Sequence, residues 1–312
     1  MTNVLRPTRA ALHGQFRRDL EPALQIESGE RVSCQTLDVM WGMGQHPLEG
    51  NWRPKFEPRG GERDDGPALC GPVAIRGARP GQMLEIELEE IRPATWGWTF
   101  AGDNGFNGPL IRALGLADEP STLLRWELDP DALIGVSELG QRVELQPFLG
   151  IIGMPADVDG WQTGWFPRRT GGNMDCRALV RGTKLFLPIE VDGALVSLGD
   201  GHARQGDGEV AASAIECMME RVTLRYTLRD DIAESMPHAW TPQGWVTLGF
   251  DRDLDRAVEQ ALDGILRLIA RELDVSRGVA LALASAVVDL RITQLVNGVR
   301  GVHAVWPHGS LG

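Results

Sequence analysis

The stretch GDGHARQGDGE, residues 199–209, sets two aspartates, a glutamate and an imidazole on a glycine-rich backbone. If the backbone at 200–202 is extended, Asp200 and His202 point to the same face. Gly201 between them leaves room for another backbone or a substrate. Asp207 and Glu209 form a second pair around a single glycine, joined to the first by the short segment ARQG. Carboxylates brought that close repel one another in a low dielectric. A divalent cation relieves the repulsion, and mixed nitrogen and oxygen donors suit zinc, with calcium as the alternative.

Three further segments offer donors. GGNMD (171–175) places Asn173 and Asp175 at the same parity after a double glycine. Asp38, in TLDVMWG, follows a predicted strand, and Glu216 in SAIECM is a lone acid among small and apolar residues. Glu216 and Glu209 differ in parity, so Glu216 reaches the site only if a bulge or loop intervenes. The reading is a metal held by some of Asp38, Asp175, Asp200 and His202. Glu209 or Glu216 serves as the proton carrier, and Asn173 or the N–H groups of Gly171 and Gly172 hold an oxyanion. Asp207 is placed beside the substrate. The competing reading of the same residues is a set of Gly-Asp turns whose acids cap their own backbone. His13, His46, His238, His303 and His308 lack acidic company and read as structural.

Other chemistries find no footing. The sequence holds no G-x-S-x-G elbow, H-E-x-x-H, Walker loop or strand-led G-x-G-x-x-G, and the serine-rich glycine loop of the amidase-signature enzymes is missing. Only Lys55 and Lys184 could supply a catalytic lysine, and neither has a recognisable setting. The net charge of −12 disfavours nucleic acid or an anionic membrane as the main partner. No apolar stretch has signal-peptide or membrane-spanning character, which predicts a cytoplasmic protein. Cys34, Cys70, Cys176 and Cys217 lie far apart and read as reduced, buried thiols.

The elements that must position these groups are mainly strands. Residues 83–91, MLEIELEEI, alternate Leu84, Ile86 and Leu88 with Glu85, Glu87 and Glu89, the pattern of a half-buried strand. Residues 221–228, 142–148, 183–191 and 244–250 read similarly, and their spacing favours a β-sandwich or barrel. From residue 251 the period changes. Residues 251–274 place Leu254, Val258, Leu262, Ile265, Leu266 and Ile269 at helical spacing, and a second helix fits 276–293 with Ser276 as its N-cap. That second segment is apolar on several sides, which suits central burial or a subunit interface. The chain therefore divides into a β-rich portion, 1–250, carrying the site, and a helical portion, 251–312, packed on it as one unit. Three predicted loops, 49–67, 95–109 and 157–175, all carry tryptophan. Such rings serve as loop packing or as pocket walls, and in the second role they favour a substrate with some apolar bulk.

The segments GPVAIRGARPGQMLEIELEEIRP (71–93), PFLGIIGMP (147–155), 168–216 and VVDLRITQLVNGVRGVHAVWPH (287–308) together resemble the acetamidase/formamidase family. The resemblance implies a mainly β fold, a β-sandwich with a smaller α/β portion, and oligomeric assembly. It also implies metal-assisted hydrolysis of a carbon–nitrogen bond in a small non-peptide amide. Some similar proteins open small cyclic amides, so a lactamase or urea-like amidohydrolase on the same site is the first alternative. A non-catalytic β-sandwich that binds calcium or a small ligand is the second.

Overall fold

A computed structural model describes residues 2–47, 53–232 and 234–311. Two sheets face each other as a sandwich. The first has nine strands, in the order Thr2–Leu5, Arg31–Cys34, Met219–Arg229, Met83–Pro93, Lys184–Pro188, His238–Thr241, Gly244–Asp251, Arg300–Pro307 and Asp289–Gln294. The second, of twelve strands, runs from Arg142–Glu144 through Ile134–Ser137, Thr122–Asp129, Trp96–Ala101, Ile215–Cys217, Val196–Arg204 and Phe148–Gly153 to Gly171–Asn173 and Pro167–Arg168. Leu69–Ile75 branches from Val196–Arg204.

The alternation read in 83–91 produces the core. Leu84, Ile86 and Leu88 are buried with Val222, Leu224 and Tyr226 of the neighbouring strand. They belong to one cluster with Leu149, Ile152, Val196, Leu198 and Cys217 of the other sheet. Each fully buried side chain of this size contributes about 1.5–3 kcal/mol relative to exposure. Glu89, on the opposite face, pairs with Arg31 and Arg225. The four cysteines are free and buried, as expected. The strand predicted at 142–148 divides in two, Arg142–Glu144 and Phe148–Gly153. Pro147, which lacks an N–H for the ladder, lies in the gap.

Among the described residues there are three α-helices: α1 (Gly108–Ala113), α2 (Leu254–Glu272) and α3 (Arg277–Val287). The Asp253 carboxylate accepts the Asp255 N–H at the start of α2. The buried stripe of α2 centres on Ala257, Ala261, Ile265, Leu268 and Ile269, while Leu254, Val258 and Leu262 lie at its margins. The helix comes close to the sheet because Gly249 lies against the Ala257 carbonyl, where a Cβ would collide. Strand Arg300–Pro307 is covered on both sides, with Val302, Ala304 and Trp306 toward the helices and Val305 toward the sandwich core.

Ser276 caps α3, accepting the Val279 N–H at 3.3 Å. The helix ends at Val287, however, and Asp289–Gln294 is an edge strand of the nine-stranded sheet. Nor is α3 central: only Ala280 and Ala284 are buried, and Val279, Leu281, Leu290 and Ile292 are exposed. Among the described residues no helix is long and apolar enough to cross a membrane.

Candidate functional site

Strand Val196–Arg204 runs through the middle of the twelve-stranded sheet and carries Asp200 and His202. Asp200 has φ of 56°, so the backbone is locally left-handed rather than regularly extended. Even so, His202 Nε2 lies 3.1 Å from Asp200 Oδ1. Gly201 fills the expected role, since a Cβ there would stand 2.7 Å from the Cys217 carbonyl of the adjacent strand. Phe148 meets the His202 ring edge-on at 4.9 Å and limits its rotation.

Glu216 lies on the next strand, Ile215–Cys217, in register with His202. The loop and register shift that follow His202 supply the interruption that parity required. Its Oε2 is 3.3 Å from His202 Nε2, and its Oε1 accepts the Ala214 N–H at 2.9 Å. Glu209 turns back into the same space from the loop, with a left-handed φ of 46°. Asp175, beyond strand Gly171–Asn173, completes the set. Two overlapping groups have donor atoms within 4.8 Å of one another: Asp175, Asp200 and His202, and His202, Glu209 and Glu216. All five residues are buried.

Two groups absent from the sequence reading shape this space. Gly150, on the strand beside Asp200, lacks a side chain where the acids meet. A Cβ there would lie 2.5 Å from Asp200 Oδ2, 2.6 Å from Asp175 Oδ1 and 2.9 Å from the His202 ring. Asn297 donates its side-chain N–H to Asp175 Oδ2 and approaches Glu209 Oε2 at 3.4 Å. Gly150 lies in PFLGIIGMP, one of the segments that carry the family resemblance, and nothing local distinguishes Asn297.

The electrostatics follow from burial. Burial raises Asp175 well above the usual carboxylate range, and Glu209 and Asp200 add to the rise. Burial likewise lifts Glu209 to about 8, partly offset by His202 and reinforced by Glu216 and Asp200. Glu216 is raised by burial against the opposing pull of His202. For His202, burial disfavours the charged ring, but Glu216 and Asp200 outweigh it and hold the imidazole well above its ordinary value.

These donors suit a divalent cation. Asp175 Oδ1 is buried without a hydrogen-bond partner, Asp175, Asp200 and His202 meet at the hollow over Gly150, and the set combines an imidazole with carboxylates.

Asp38 does not join them. Arg53 pairs with its carboxylate, and Met40 N, Gly42 N and Trp98 Nε1 donate to it at 2.9, 2.7 and 3.1 Å. With its lone pairs occupied it is a structural anion. Asp207 also stands aside, ion-paired to Arg177 at 3.0 Å and Arg291 at 3.7 Å. The turn through Gly208 and Glu209, both at positive φ, breaks the parity that had grouped Asp207 with Glu209.

Gly171 and Gly172 pair with Gly153 and Ile152 in the ladder and do not line the cavity described next. They are scaffold rather than an oxyanion site. Asn173 lines the cavity; one of its two amide N–H groups is given to the Trp165 carbonyl at 3.2 Å and its Oδ1 is unpartnered, so the side chain keeps one donor and an acceptor.

A cavity of about 450 Å³ opens onto Asp200, Glu209 and Glu216. Trp98, Phe100, Phe106 and Trp165 stand in its walls with Arg53, Lys55 and His46. All three tryptophan-bearing segments thus reach the cavity, the first through Arg53 and Lys55, although Trp96–Ala101 is a strand and 157–175 contains short strands. Residues 48–52, with Trp52, lie outside the described residues. His46, read as structural, lines the cavity edge-on to Trp98 at 5.4 Å, and burial, with Arg125 and Lys55, lowers its affinity for a proton. Burial pulls the Arg53 guanidinium down to about 10, while Glu216 opposes the shift.

Comparison with known proteins places this geometry in context. The sequence model of the Acetamidase/Formamidase family matches residues 158–243, a segment that contains Asp175, Asp200, His202, Glu209 and Glu216. A candidate formamidase of Schizosaccharomyces pombe is 29% identical over 264 residues, covering 69% of this chain and 63% of that protein. The acetamidase of Mycolicibacterium smegmatis is 28% identical over 255 residues, covering 64% and 61%. The matches thus span about three fifths of the length of these curated relatives. The crystal structure of an acetamidase from Bacillus halodurans superposes with a TM-score of 0.82 at 27% identity, covering 97% of each chain. Through its central segment and its whole fold, the chain is related to the acetamidase/formamidase family.

Proposed function

We propose that the protein is a metal-dependent amidase that hydrolyses the carbon–nitrogen bond of non-peptide amides to a carboxylic acid and ammonia or an amine. The observation that carries this reading is the pair of buried donor groups that share His202, Asp175 with Asp200 and Glu209 with Glu216, three of whose acids (Asp200, Glu209 and Glu216) line an open cavity. The relationship to acetamidases and formamidases supplies the reaction class.

Asp175, Asp200 and His202 would hold the cation. A zinc-like ion would supply Lewis acidity, which acidifies water at neutral pH and polarises an amide carbonyl. Glu209 lines the cavity, with Asn297 at 3.4 Å and Asp175 as a hydrogen-bond partner. It is assigned to take the proton of the attacking water and pass it to the nitrogen as the C–N bond breaks, because an amide nitrogen leaves poorly as an anion. Glu216, tied to Ala214 N and facing His202, orients the imidazole. Asn173 Oδ1 accepts an N–H of the substrate. Arg53, held by Asp38, offers a fixed cation for charge developing on the carbonyl oxygen.

An imidazole at the centre of the set favours zinc over calcium, whose sites gather oxygen donors. The four buried free cysteines support a reducing compartment, the cytoplasm. The exposed apolar residues of α3 and its neighbouring edge strand support a homo-oligomer, which light scattering would test, a monomer refuting it.

The deciding experiment measures bound metal and amide turnover together, before chelation, after it, and after zinc is restored. Turnover should vanish with the metal and return with it. Undiminished turnover in protein shown to be metal-free overturns the mechanism. Following ammonia release against ring opening on a substrate panel separates linear amides from lactams.

A further inference from the structure

The cavity is larger than the smallest amides require. Its volume of about 450 Å³ lies within the range of roughly 300–1,000 Å³ typical of sites that enclose drug-sized ligands. Above the acids, the walls are aromatic. Trp98 is buried and its indole N–H is fixed on Asp38 at 3.1 Å, so the ring is set before any ligand arrives. Trp165 is anchored through its carbonyl, which accepts from Asn173 at 3.2 Å. Phe106 packs edge-on against Phe166 at 5.8 Å yet remains 41% exposed on the cavity side of the fold. Phe100 completes the wall. Formamide or acetamide would occupy the floor and leave these ring faces wet.

We propose that the preferred substrates are carboxamides bearing an aryl group, with the amide on the floor and the ring between Trp98, Phe100, Phe106 and Trp165. This rests on the amidase reading and names its substrate class. Trp98, fixed by its own hydrogen bond, meets such a group with little ordering cost, and one added methylene in an apolar pocket already changes kcat/KM by about 10–200-fold. Phenylacetamide should therefore exceed acetamide and formamide in kcat/KM by about 100-fold.

The test has two readouts. Turnover of phenylacetamide, acetamide and formamide is compared in zinc-loaded protein. Binding of phenylacetamide and acetamide is measured by calorimetry in chelator-treated protein. The same measurements on Phe106→Ala, a partly exposed position, should lower the phenylacetamide preference about 10-fold. Acetamide or formamide turned over as efficiently as phenylacetamide would overturn the inference and leave the amidase reading standing. No turnover of any amide would remove the amidase reading. Calorimetry would then decide the cavity: saturable phenylacetamide binding weakened by Phe106→Ala supports an aryl ligand, and absence of binding overturns it.

Discussion

Asp38 and Asp200 are both buried aspartates, and they differ in what surrounds them. Asp38 receives Arg53, two backbone N–H groups and an indole N–H. Asp200 faces His202, with Asp175 and Glu209 close enough to repel it. A buried carboxylate whose donors are complete is part of the frame. One whose neighbours are other carboxylates is held in place only if something else neutralises the group. The difference lies in the number of donors aimed at each acid, a quantity that residue type and burial do not reveal.

The same conservative change should therefore act on different properties at the two positions. Asp200→Asn should lower amide turnover by about 1,000-fold or more by removing a metal donor. It should shift the melting temperature of the metal-free protein by no more than about 3 °C, because the lost ion pair with His202 offsets the relief of repulsion from the neighbouring acids. Asp38→Asn should cost about 3–5 kcal/mol of stability in denaturant titration, since Arg53 is left as an uncompensated buried cation. If Asp200→Asn destabilises the metal-free chain as much as Asp38→Asn does, the contrast between frame and site is wrong.

Two glycines repeat the comparison on a smaller scale. A Cβ on Gly42 would run into Arg53 and Asp38, whereas one on Gly150 would stand 2.5 Å from Asp200 Oδ2 and 2.6 Å from Asp175 Oδ1. Gly150→Ala should weaken zinc binding about 10–100-fold, the range expected when ligands are displaced without being lost. Gly42→Ala should lower the melting temperature and leave zinc affinity near that of the unsubstituted protein. Competition titration against a chromophoric chelator reads both, and equal zinc affinities in the two variants would show that the hollow over Gly150 is not the metal position.

How far the sequence foretold this depends on range. Leu84, Ile86 and Leu88 alternate within one strand, so a local rule found them. Asp200 and His202 are two residues apart on one strand, near enough to meet although the left-handed Asp200 departs from the extended backbone that parity assumes. Asp207 was misplaced because the left-handed residues Gly208 and Glu209 reverse the chain between it and the site. Asp38 was misread because its partner Arg53 lies in a loop with no periodic pattern. Asn297 and Gly150 come from segments remote in sequence, and their roles exist only once the sheet is assembled. The apolar run past Val287 suits strand as well as helix. Val287 and Val288 are β-branched, and the edge of the sheet was free to pair with what followed.

The smallest of the expected effects concerns pH and sets the acid cluster against the isolated buried histidines. In the metal-free folded chain, Glu209 is lifted to about 8 and Asp175 and Glu216 are lifted as well, so these groups hold protons that the unfolded chain releases at lower pH. Their contribution is lost as pH rises from about 4.5 through the raised folded values. His202, held above its ordinary value, has the same sign: it stabilises below its unfolded value and stops doing so as pH rises through its folded one. His13, His238 and His303 are driven by burial to about 4 and work the other way, losing stability as pH falls from about 6.5 toward 4. Between about pH 4.5 and 6.5 the two sets oppose each other, so the melting temperature of the metal-free protein should change little there and decline above roughly pH 6.5, by a few degrees at pH 8. Zinc competes with the protons of the cluster alone. It should restore the alkaline limb, raising the melting temperature more at pH 8 than at pH 6. A zinc-induced shift that does not grow between pH 6 and pH 8 would mean that the ion binds away from Asp175, Asp200 and His202.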